Sequence, residues 1–327
     1  MVPLRRQACL AGFVWLCSLA YADPAQSPEA MLAAGRVDNA ISFLQVHESN
    51  SPNDAAAYNL LCRAHFMLGS WDAGITGCEK AVALDPNNSS YHLWLGRIYG
   101  EKASHVPFWS AASLSKKVHS EFETAVRLDP KNADARRDLA EFYIEAPGIM
   151  GGGKDKAEAQ AQELMHLDAP KAYWVSARIA EKKKDYTTAE SEYRNALQAS
   201  HGRADEWLDL AFFYRHIEHY DQMEDAIQHV RTAAVDRRNV LMEAAEVLIR
   251  AGRNSPAALD LLHQYLENPV EDGPAFKAHY LLGTLLEQSG DKQGAAREYE
   301  TAISMANDYS PARIALQRLN AKAAHGG

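Results

Sequence analysis

The sequence predicts an all-α solenoid built from antiparallel helix hairpins, and three observations lead to this prediction. Large apolar residues recur with helical spacing over most of the 327-residue chain. Glycine or proline interrupts each run at the place where a helix has to end. The same order of large, small and helix-breaking residues then returns after about 34 residues, a spacing that is typical of a repeat architecture.

The composition agrees with a folded protein and restricts its partners. The chain is 47% apolar and 24% charged, with 19 Gly and 13 Pro, which excludes disorder and a collagen-like repeat. It has 34 Lys and Arg residues against 43 Asp and Glu residues, a formal net charge of −9. A surface of this charge repels polyanions, so the sequence predicts no nucleic-acid partner and no general attraction to anionic membranes.

Residues 1–22 have the pattern of a secretory signal peptide. Arg5 and Arg6 precede an apolar run from residue 8 to residue 20, and Ala20 and Ala22 are the two small residues that a signal peptidase reads. No segment reaches the ~20 apolar residues of a membrane span, so no transmembrane anchor is expected. Cleavage near Ala22 removes both arginines and no acidic residue, leaving 32 basic and 43 acidic residues and a net charge of −11. We therefore expect an acidic mature protein that is periplasmic or secreted.

Only Cys62 and Cys78 remain after that cleavage. Disulfides persist in the compartments that exported proteins reach, so the two residues could form a bridge. The alternative is a pair of small buried thiols packed between helices, and it is slightly favoured, because a sequence cannot supply the Cα separation of about 6 Å that a bridge needs.

Residues 55–88 show one helix hairpin in full. Tyr58, Leu61 and Cys62 share one helical face, Gly69 breaks the run, and Leu84-Asp85-Pro86 ends the second helix. The positions of these large and small residues resemble the tetratricopeptide repeat (TPR), and the resemblance extends over nearly the whole mature chain. It implies a TPR-type α-solenoid, a right-handed superhelix of antiparallel helix hairpins with about eight repeats.

The repeat period divides residues 23–323 into a single solenoid without a second domain. A truncated first unit opens with Ser27-Pro28-Glu29 as a helix cap and first turn. Seven complete units follow, and residues 310–323 are expected to form a polar closing helix before a disordered tail at 324–327. The eight units cover approximately residues 27–52, 55–88, 89–132, 133–169, 170–201, 204–237, 238–271 and 276–309.

Two units are longer than the period, by ten and by five residues, and both have the excess between their two helices, at residues 100–109 and 146–153. Equivalent turns of successive repeats line one edge of a solenoid, so the two inserts are expected to be neighbours that form a contact edge. Phe108 and Trp109 would supply apolar area, and the glycines would let backbone N–H groups approach a partner. The alternative is that the longer loop folds its aromatic residues onto its own hairpin. The residues of this predicted edge are Phe108, Trp109, Gly151, Gly152, Gly153 and Lys154.

The stretch from Gly96-Arg97 to Lys156-Ala157 resembles a subgroup of exported bacterial TPR proteins that have a glycine-rich insert between repeat helices. This resemblance implies a TPR fold and an exported protein, and it does not imply any catalysed reaction.

The glycine-rich insert also has the spacing of a nucleotide-binding P-loop, from Gly148 to Lys154. Asp155 stands where a P-loop needs Ser or Thr for magnesium, and the segment follows a helix where a P-loop follows a strand. Nucleotide hydrolysis is therefore not predicted.

No other motif predicts catalysis or metal binding. His216-Ile217-Glu218-His219 lacks the spacing that places two zinc ligands on one helix face, so His219 is interpreted as a solvated turn residue. The chain also lacks a nucleophile elbow and a cysteine–histidine pair. We expect no enzyme activity, no metal and no cofactor.

The face that lines the concave groove of a TPR solenoid is the predicted binding site. Arg63, Arg97 and Arg178 occupy equivalent positions on successive first helices, so stacking of the repeats would form a ladder of guanidinium groups suited to carboxylates. Aromatic residues beside them would anchor apolar side chains. The predicted groove residues are Asn59, Arg63, Phe66, Arg97, Arg137, Trp174, Arg178, Phe212, Arg215 and Tyr280.

Three interpretations of this face and the inserts remain open. The first is a non-catalytic scaffold of the cell envelope that binds a peptide or protein segment, acidic or carboxylate-bearing, in the groove. The second is that the arginines pair with Asp134, Glu141 and Glu181 and only make the groove polar. The third is an accessory protein that binds a small anionic ligand at residues 148–156.

Overall fold

The structure, a computed structural model, describes residues 27–235, 237–271 and 273–325. The predicted signal peptide at 1–22 and the last two residues of the predicted tail lie outside the described residues. Within the described part of the chain, no helix is long and apolar enough to cross a membrane.

The described residues form seventeen α-helices and no β-strand, apart from one isolated bridge between Val270 and Gly273. The helices are α1 (Pro28–Ala33), α2 (Val37–Asn50), α3 (Ala55–Leu68), α4 (Trp71–Leu84), α5 (Ser89–Ser104), α6 (Phe108–Leu128), α7 (Ala133–Glu145), α8 (Lys154–Leu167), α9 (Ala169–Lys182), α10 (Tyr186–Ala199), α11 (Ala204–His216), α12 (Tyr220–Val230), α13 (Asn239–Ala251), α14 (Ser255–Leu266), α15 (Ala275–Gln288), α16 (Lys292–Met305) and α17 (Ser310–His325).

Consecutive helices pair into eight hairpins, from α1 with α2 to α15 with α16, and α17 packs against the last hairpin. The first helices of neighbouring hairpins also contact each other, for example α7 with α9 and α11 with α13. These first helices form the inner row of the solenoid. The predicted all-α solenoid of helix hairpins is confirmed.

Short polar residues start many of the helices, as the sequence indicates. Ser27 Oγ accepts a hydrogen bond from the Ala30 N–H at 3.1 Å, so the predicted cap of the first helix is confirmed. Asp54 Oδ1 accepts from the N–H groups of Ala56 and Ala57 at the start of α3. Side chains of the same type cap α5, α7, α9, α10, α14 and α16, and they are Asn88, Asn132, Asp168, Asp185, Asn254 and Asp291.

Glycine sets the distance between the two helices of a hairpin. A Cβ atom added to Gly96 would lie 2.5 Å from the Phe122 ring, and one added to Gly283 would lie 2.5 Å from the Tyr299 ring. Both pairs hold the same place in their hairpins. The small residue therefore makes room for the aromatic residue of the second helix, as the repeat pattern predicts.

The first hairpin packs against the last, so the solenoid closes on itself. Helix α2 contacts α16, and Phe276 of α15 is fully buried in one apolar cluster with Leu32 and Val37. The Asn307 N–H donates to Asp38 Oδ2 at 2.7 Å. Gly35 approaches so closely that an added Cβ would lie 2.8 Å from Ala275 Cβ. The repeat pattern did not predict this closure.

The prediction of a long loop at residues 100–109 is wrong. Helix α5 continues to Ser104 and α6 begins at Phe108, so the additional residues lengthen both helices and only three residues connect them. No proline occurs between Ser89 and Pro107, and α5 continues through Gly100, so nothing in this stretch forces the helix to end earlier. Phe108 and Trp109 form the first turn of α6, with 73% and 77% of their surface exposed, so they do not fold onto the hairpin either.

The second insert forms a short 3₁₀ turn, Gly148–Met150, which contacts α6. This contact lies near His119, whose ring would be 3.0 Å from a Cβ atom on Gly151. Phe108 and Trp109 are about 15 Å away along α6, at 1.5 Å per residue. The second insert therefore contacts α6 beyond the first insert, and the predicted contact residues of the two inserts do not form one edge.

Cys62 and Cys78 form a disulfide, with their Cα atoms 5.2 Å apart. It joins α3 to α4 inside the second hairpin, and both residues are fully buried. The slightly favoured alternative of two free thiols is wrong. The repeat packing supplies the separation that the sequence could not.

Candidate functional site

Two adjoining cavities lie on the inner face of the closed solenoid. We name them the Phe212 cavity, of about 490 Å³, and the Asn239 cavity, of about 500 Å³. The side chains that border both are Arg137, Trp174, Asp205, Asp209, Arg237 and Glu243. The Phe212 cavity is completed by Arg178, Glu181, Tyr193, Leu208, Phe212, Phe213, Arg215 and His216. The Asn239 cavity is completed by Phe66, Trp94, Arg97, Asp134, Asp138, Pro170, Lys171, Arg203, Glu206 and Asn239.

Most of the predicted groove residues border these cavities, namely Phe66, Arg97, Arg137, Trp174, Arg178, Phe212 and Arg215. The other three predicted groove residues border neither cavity. Asn59 is buried within α3, and Tyr280 packs against the rings of Tyr299 and Tyr309. Arg63 contacts Glu271 where the two ends of the solenoid meet. For Arg63 closure is the reason, because this residue lies where the two ends of the inner row meet.

Tryptophan and arginine side chains stack on the inner face. The Arg137 guanidinium carbon lies 3.9 Å from the centroid of the Trp174 ring, and that of Arg178 lies 5.9 Å from it. Trp94 has Arg63 and Arg97 near its ring at 5.4 and 5.2 Å. Cation–π contacts of this kind hold the guanidinium planes in place beside the indoles.

The arginines of the predicted ladder are all bound to carboxylates of this chain. Arg97 Nε donates to Asp138 Oδ2 at 2.6 Å, and Arg63 Nε donates to Glu271 Oε1 at 2.6 Å. Arg178 donates to three carboxylates, those of Glu141, Glu145 and Glu181. A guanidinium with such partners is not open to a carboxylate ligand. The reason for expecting an acidic partner therefore no longer holds.

Glu181 is the buried centre of a polar network in the Phe212 cavity. Tyr193 donates its hydroxyl proton to Glu181 Oε2 at 2.9 Å, and His216 Nδ1 lies 3.2 Å from Oε1. Burial raises the pKa of Tyr193, so its hydroxyl stays a donor. These contacts orient the side chains that border the cavity. His216 is part of this network, whereas His219 is the N-cap residue of α12.

Three carboxylates of the inner face, those of Asp205, Asp209 and Glu243, were not among the residues predicted from the sequence. Arg137 on α7 reaches Asp209 on α11, past the one hairpin between them, with 3.6 Å between Nη2 and Oδ1. Burial raises the pKa of Asp209 to about 6, and burial also raises the pKa of Glu243. Helical spacing contained a signal, because Asp209 lies three residues before the predicted groove residue Phe212 and so shares its face.

The glycine-rich insert does not form an anion site. The N–H groups of Gly151, Gly152 and Gly153 donate to the carbonyl oxygens of Gly148, Pro147 and Tyr143, respectively. Lys154 pairs with Glu158 at 2.8 Å, and Lys156 donates to the Gly151 carbonyl oxygen at 2.9 Å. With these donors engaged, the interpretation as an accessory protein for a small anion at residues 148–156 loses its structural basis.

Comparison with known proteins agrees with the fold. A family model described as tetratricopeptide repeat matches residues 242–310. A solved structure of yeast Tom70 superposes with a TM-score of 0.55 at 14% sequence identity, covering 94% of this chain and 66% of that one. The family match assigns a tetratricopeptide repeat to residues 242–310, and the superposition shows a TPR-type solenoid fold.

Two further proteins are similar to this chain. The mouse protein described as superkiller complex protein 3 is 22% identical over 291 residues, which is 86% of this chain and 18% of the mouse protein. The chain thus spans about a fifth of the length of that relative. A thermophilic TPR protein of Thermus thermophilus superposes with a TM-score of 0.47 at 20% identity, over 57% of this chain and 96% of that one.

Proposed function

We propose that this tetratricopeptide repeat protein is a non-catalytic interaction scaffold that holds a protein segment on its inner face. One observation carries the proposal: two adjoining cavities of about 490 and 500 Å³ lie side by side on that face, with Trp174 and Arg137 between them. Volumes of this size accommodate a few side chains of a bound chain.

The chemistry of the face supports a protein partner. Exposed aromatic residues and arginines dominate the energy of protein interfaces, and here Phe212 is 37% exposed beside the stacked Trp174 and Arg178. Most of the side chains come from the six inner helices α3, α5, α7, α9, α11 and α13, so a bound segment would contact several repeats at once. The polar groups among them can bond to the backbone of an extended segment.

The scaffold function is not expected to include catalysis. TPR solenoids are typically interaction modules, and the family match supports the same role for this chain. The titratable groups of the inner face are engaged with one another, as in the contacts of Glu181 with Arg178 and Tyr193. These contacts hold the side chains of the inner face in position.

We also infer that the mature protein functions outside the cytosol, in the periplasm or after secretion. The pattern of residues 1–22 supports export, and so does the disulfide between Cys62 and Cys78, because disulfides persist in oxidising compartments. Mass spectrometry of the protein isolated from the cell envelope or medium should give a chain that begins at Asp23. A chain that retains residues 1–22 and stays in the cytosol would contradict this inference.

Site-specific photo-crosslinking tests the groove. A photoreactive phenylalanine analogue placed at Phe212 should trap one or a few proteins in the native envelope, because this side chain faces the Phe212 cavity. The matched control is the same analogue at Val46, which is exposed on α2 and borders neither cavity. The proposal requires adducts that form at residue 212 and not at residue 46. Identical adducts at both positions, or none at residue 212, would refute it.

A further inference from the structure

The hairpin of α5 and α6 ends in two exposed aromatic side chains. Phe108 and Trp109 are the first two residues of α6 and expose 73% and 77% of their surface. Pro107, which precedes them, is exposed as well. Adjacent large apolar side chains with this exposure form a patch, and such a patch marks a contact surface. We name residues 103–115 the aromatic tip.

The aromatic tip extends past the contacts that α5 and α6 make with the neighbouring hairpins. On one side the ring of His105 lies 5.4 Å from the ring of Trp71, the first residue of α4. On the other side the turn of the next hairpin contacts α6 near His119, which is about 15 Å along the helix from Trp109. The two exposed rings therefore lie at the convex end of the longest hairpin.

The aromatic tip contains no Asp, Glu, Lys or Arg, although 24% of the chain is charged. Its only titratable side chain is that of His105, and the nearest acidic residues along the chain are Glu101 and Glu121. Transfer of a charged group from water to lipid costs free energy, whereas transfer of an aromatic ring is favourable. The aromatic tip can therefore enter an apolar phase without taking a charged side chain with it.

Lysine residues flank the aromatic tip on both helices. Lys102 precedes it on α5, and Lys116 and Lys117 follow it on α6. Lys116 is exposed and has no ion pair among the described residues. Lys102 contacts Asp72, and Lys117 Nζ lies 3.5 Å from Glu79 Oε1. Both carboxylates are half exposed or more, and such ion pairs contribute little, so a lipid phosphate can replace them.

The spacing of the rings and the lysines matches the layers of a phospholipid surface. Lys116 follows Phe108 by eight residues, which is about 12 Å along α6. Apolar side chains of peripheral proteins enter the boundary of headgroups and acyl chains by about 5–10 Å. With α6 upright on the bilayer, this depth leaves the lysine ammonium groups at the level of the phosphates. Tryptophan beside lysine is the composition that this boundary favours.

From the exposed rings, the uncharged stretch and the flanking lysines, we propose that the aromatic tip docks on the surface of a phospholipid bilayer. Phe108 and Trp109 enter the boundary below the headgroups, and Lys116 and Lys117 contact phosphates. A bilayer fits a convex tip because lipids close around inserted rings and no preformed pocket is needed. The chain as a whole has a net charge of −9, so an anionic surface repels the rest of the protein and the contact is made by the tip first. This inference goes beyond the scaffold function, since it places the scaffold on a membrane surface.

Flotation of the mature protein with vesicles tests the docking. The vesicles consist of equal parts of phosphatidylcholine and phosphatidylglycerol at physiological salt. We expect saturable binding, weakened at least tenfold by the double change Phe108→Ser and Trp109→Ser, because two rings then no longer enter the lipid. The matched control is Phe43→Ser with Val46→Ser, an exposed apolar pair on α2, which should bind like the unchanged protein. No binding of the unchanged protein, or equal binding of all three, would overturn the inference.

Quenching of tryptophan fluorescence by lipids that are brominated near the top of the acyl chains locates the inserted ring. We expect quenching of the unchanged protein and much less quenching of Trp109→Phe. That variant should still bind the vesicles, because phenylalanine also enters the boundary. Equal quenching of the two proteins would place another tryptophan at the bilayer and refute the proposal.

Two charge reversals test the orientation of the hairpin. Lys116→Glu should weaken binding to the same vesicles at least threefold, because a lysine near anionic headgroups is attracted to them. The matched control is Lys131→Glu, the same change at an exposed residue beyond the other end of α6, which should bind like the unchanged protein. An equal loss in both variants, or no loss in Lys116→Glu, would refute docking by the tip.

Photo-crosslinking in the native envelope separates a bilayer from a protein partner at the tip and keeps this inference distinct from the scaffold function. A photoreactive phenylalanine analogue at Trp109 should form adducts with lipid. Discrete protein adducts at residue 109, in a protein that does not bind vesicles, would overturn the inference. Vesicle binding that depends on the tip, without adducts at residue 212, would retain the inference and overturn the scaffold.

Discussion

Arg63 Nε donates to Glu271 Oε1 at 2.6 Å, and its Nη2 donates to Glu271 Oε2, so two side chains 208 residues apart form a bidentate ion pair. Arg63 lies on α3 and Glu271 lies in the segment that leads to α15. The pair joins the two ends of the solenoid at its inner face. The apolar cluster that contains Phe276 and Leu32 joins the same two ends of the solenoid.

This ion pair should stabilise the closed solenoid measurably. In a double-mutant cycle with Arg63→Gln and Glu271→Gln, we expect a coupling free energy of about 1–3 kcal/mol, because the pair is bidentate and partly buried. The measurement is the free energy of unfolding from urea titration of the four proteins. The control is the cycle for the exposed pair Arg231 and Asp260, which should give less than about 1 kcal/mol. Equal coupling free energies in the two cycles would contradict the proposal that the Arg63–Glu271 pair stabilises the closed solenoid.

The disulfide predicts a protein without free thiols that loses stability on reduction. Cys62 and Cys78 are 16 residues apart, and closing a loop of this size stabilises a fold by about 3 kcal/mol. Thiol titration in denaturant should find none in the mature protein, and reductant should lower its unfolding midpoint. The double variant Cys62→Ala and Cys78→Ala serves as the control, since its midpoint should not respond to reductant. Two titratable thiols in the native preparation would rule out the bridge.

The free energy of unfolding should depend on pH through the protonation of Asp209. Its pKa is raised by burial from an ordinary 3.8 to about 6, with Arg137 and Arg237 lowering it and Glu206 and Asp205 raising it. The folded protein therefore binds this proton more tightly than the unfolded chain does. This group adds stability as the pH falls from 6 to 4, and above pH 6 its charge is unfavourable.

Asp209→Asn removes that dependence, because asparagine is neutral at every pH. We expect the variant to be more stable than the unchanged protein at pH 7.5, by about 1–3 kcal/mol, and to have a smaller slope of stability between pH 4 and 6. Unfolding free energies at several pH values provide the measurement. Asp155→Asn, an exposed change of the same type, should leave the pH profile as it is. A less stable Asp209→Asn protein at pH 7.5 would show that the ion pair with Arg137 dominates instead.

The glycine-rich insert should stabilise the fold through the close packing of its backbone, and not through ligand binding. A Cβ atom on Gly152 would lie 1.8 Å from the Ala146 carbonyl oxygen, whereas nothing lies within 4 Å of a Cβ atom on Gly148. We expect Gly152→Ala to lower stability by about 2 kcal/mol or more, since the turn after α7 must shift. Gly148→Ala is the matched control, with an expected change within about 0.5 kcal/mol. Calorimetric unfolding compares the two, and equal midpoints would contradict the steric explanation.

Features that depend on neighbouring residues could be predicted from the sequence. The Ser27 cap needs only its own first turn, and the contact of Gly96 with Phe122 lies within one hairpin. For the same reason, helical spacing identified Arg97, Trp174 and Phe212 as residues of one face, and the structure places all three on the inner cavities. What they bind could not be read from that spacing.

The sequence by itself determined the repeat: the order of the helices, most of their caps and breaks, and most of the residues that face inward. Only the tertiary structure decided that the solenoid closes, that Arg63 meets Glu271 and that Arg137 meets Asp209. The physical reason is that the small rotation between neighbouring hairpins accumulates over eight of them. A local pattern specifies each hairpin, but the sum of those rotations determines which distant side chains meet.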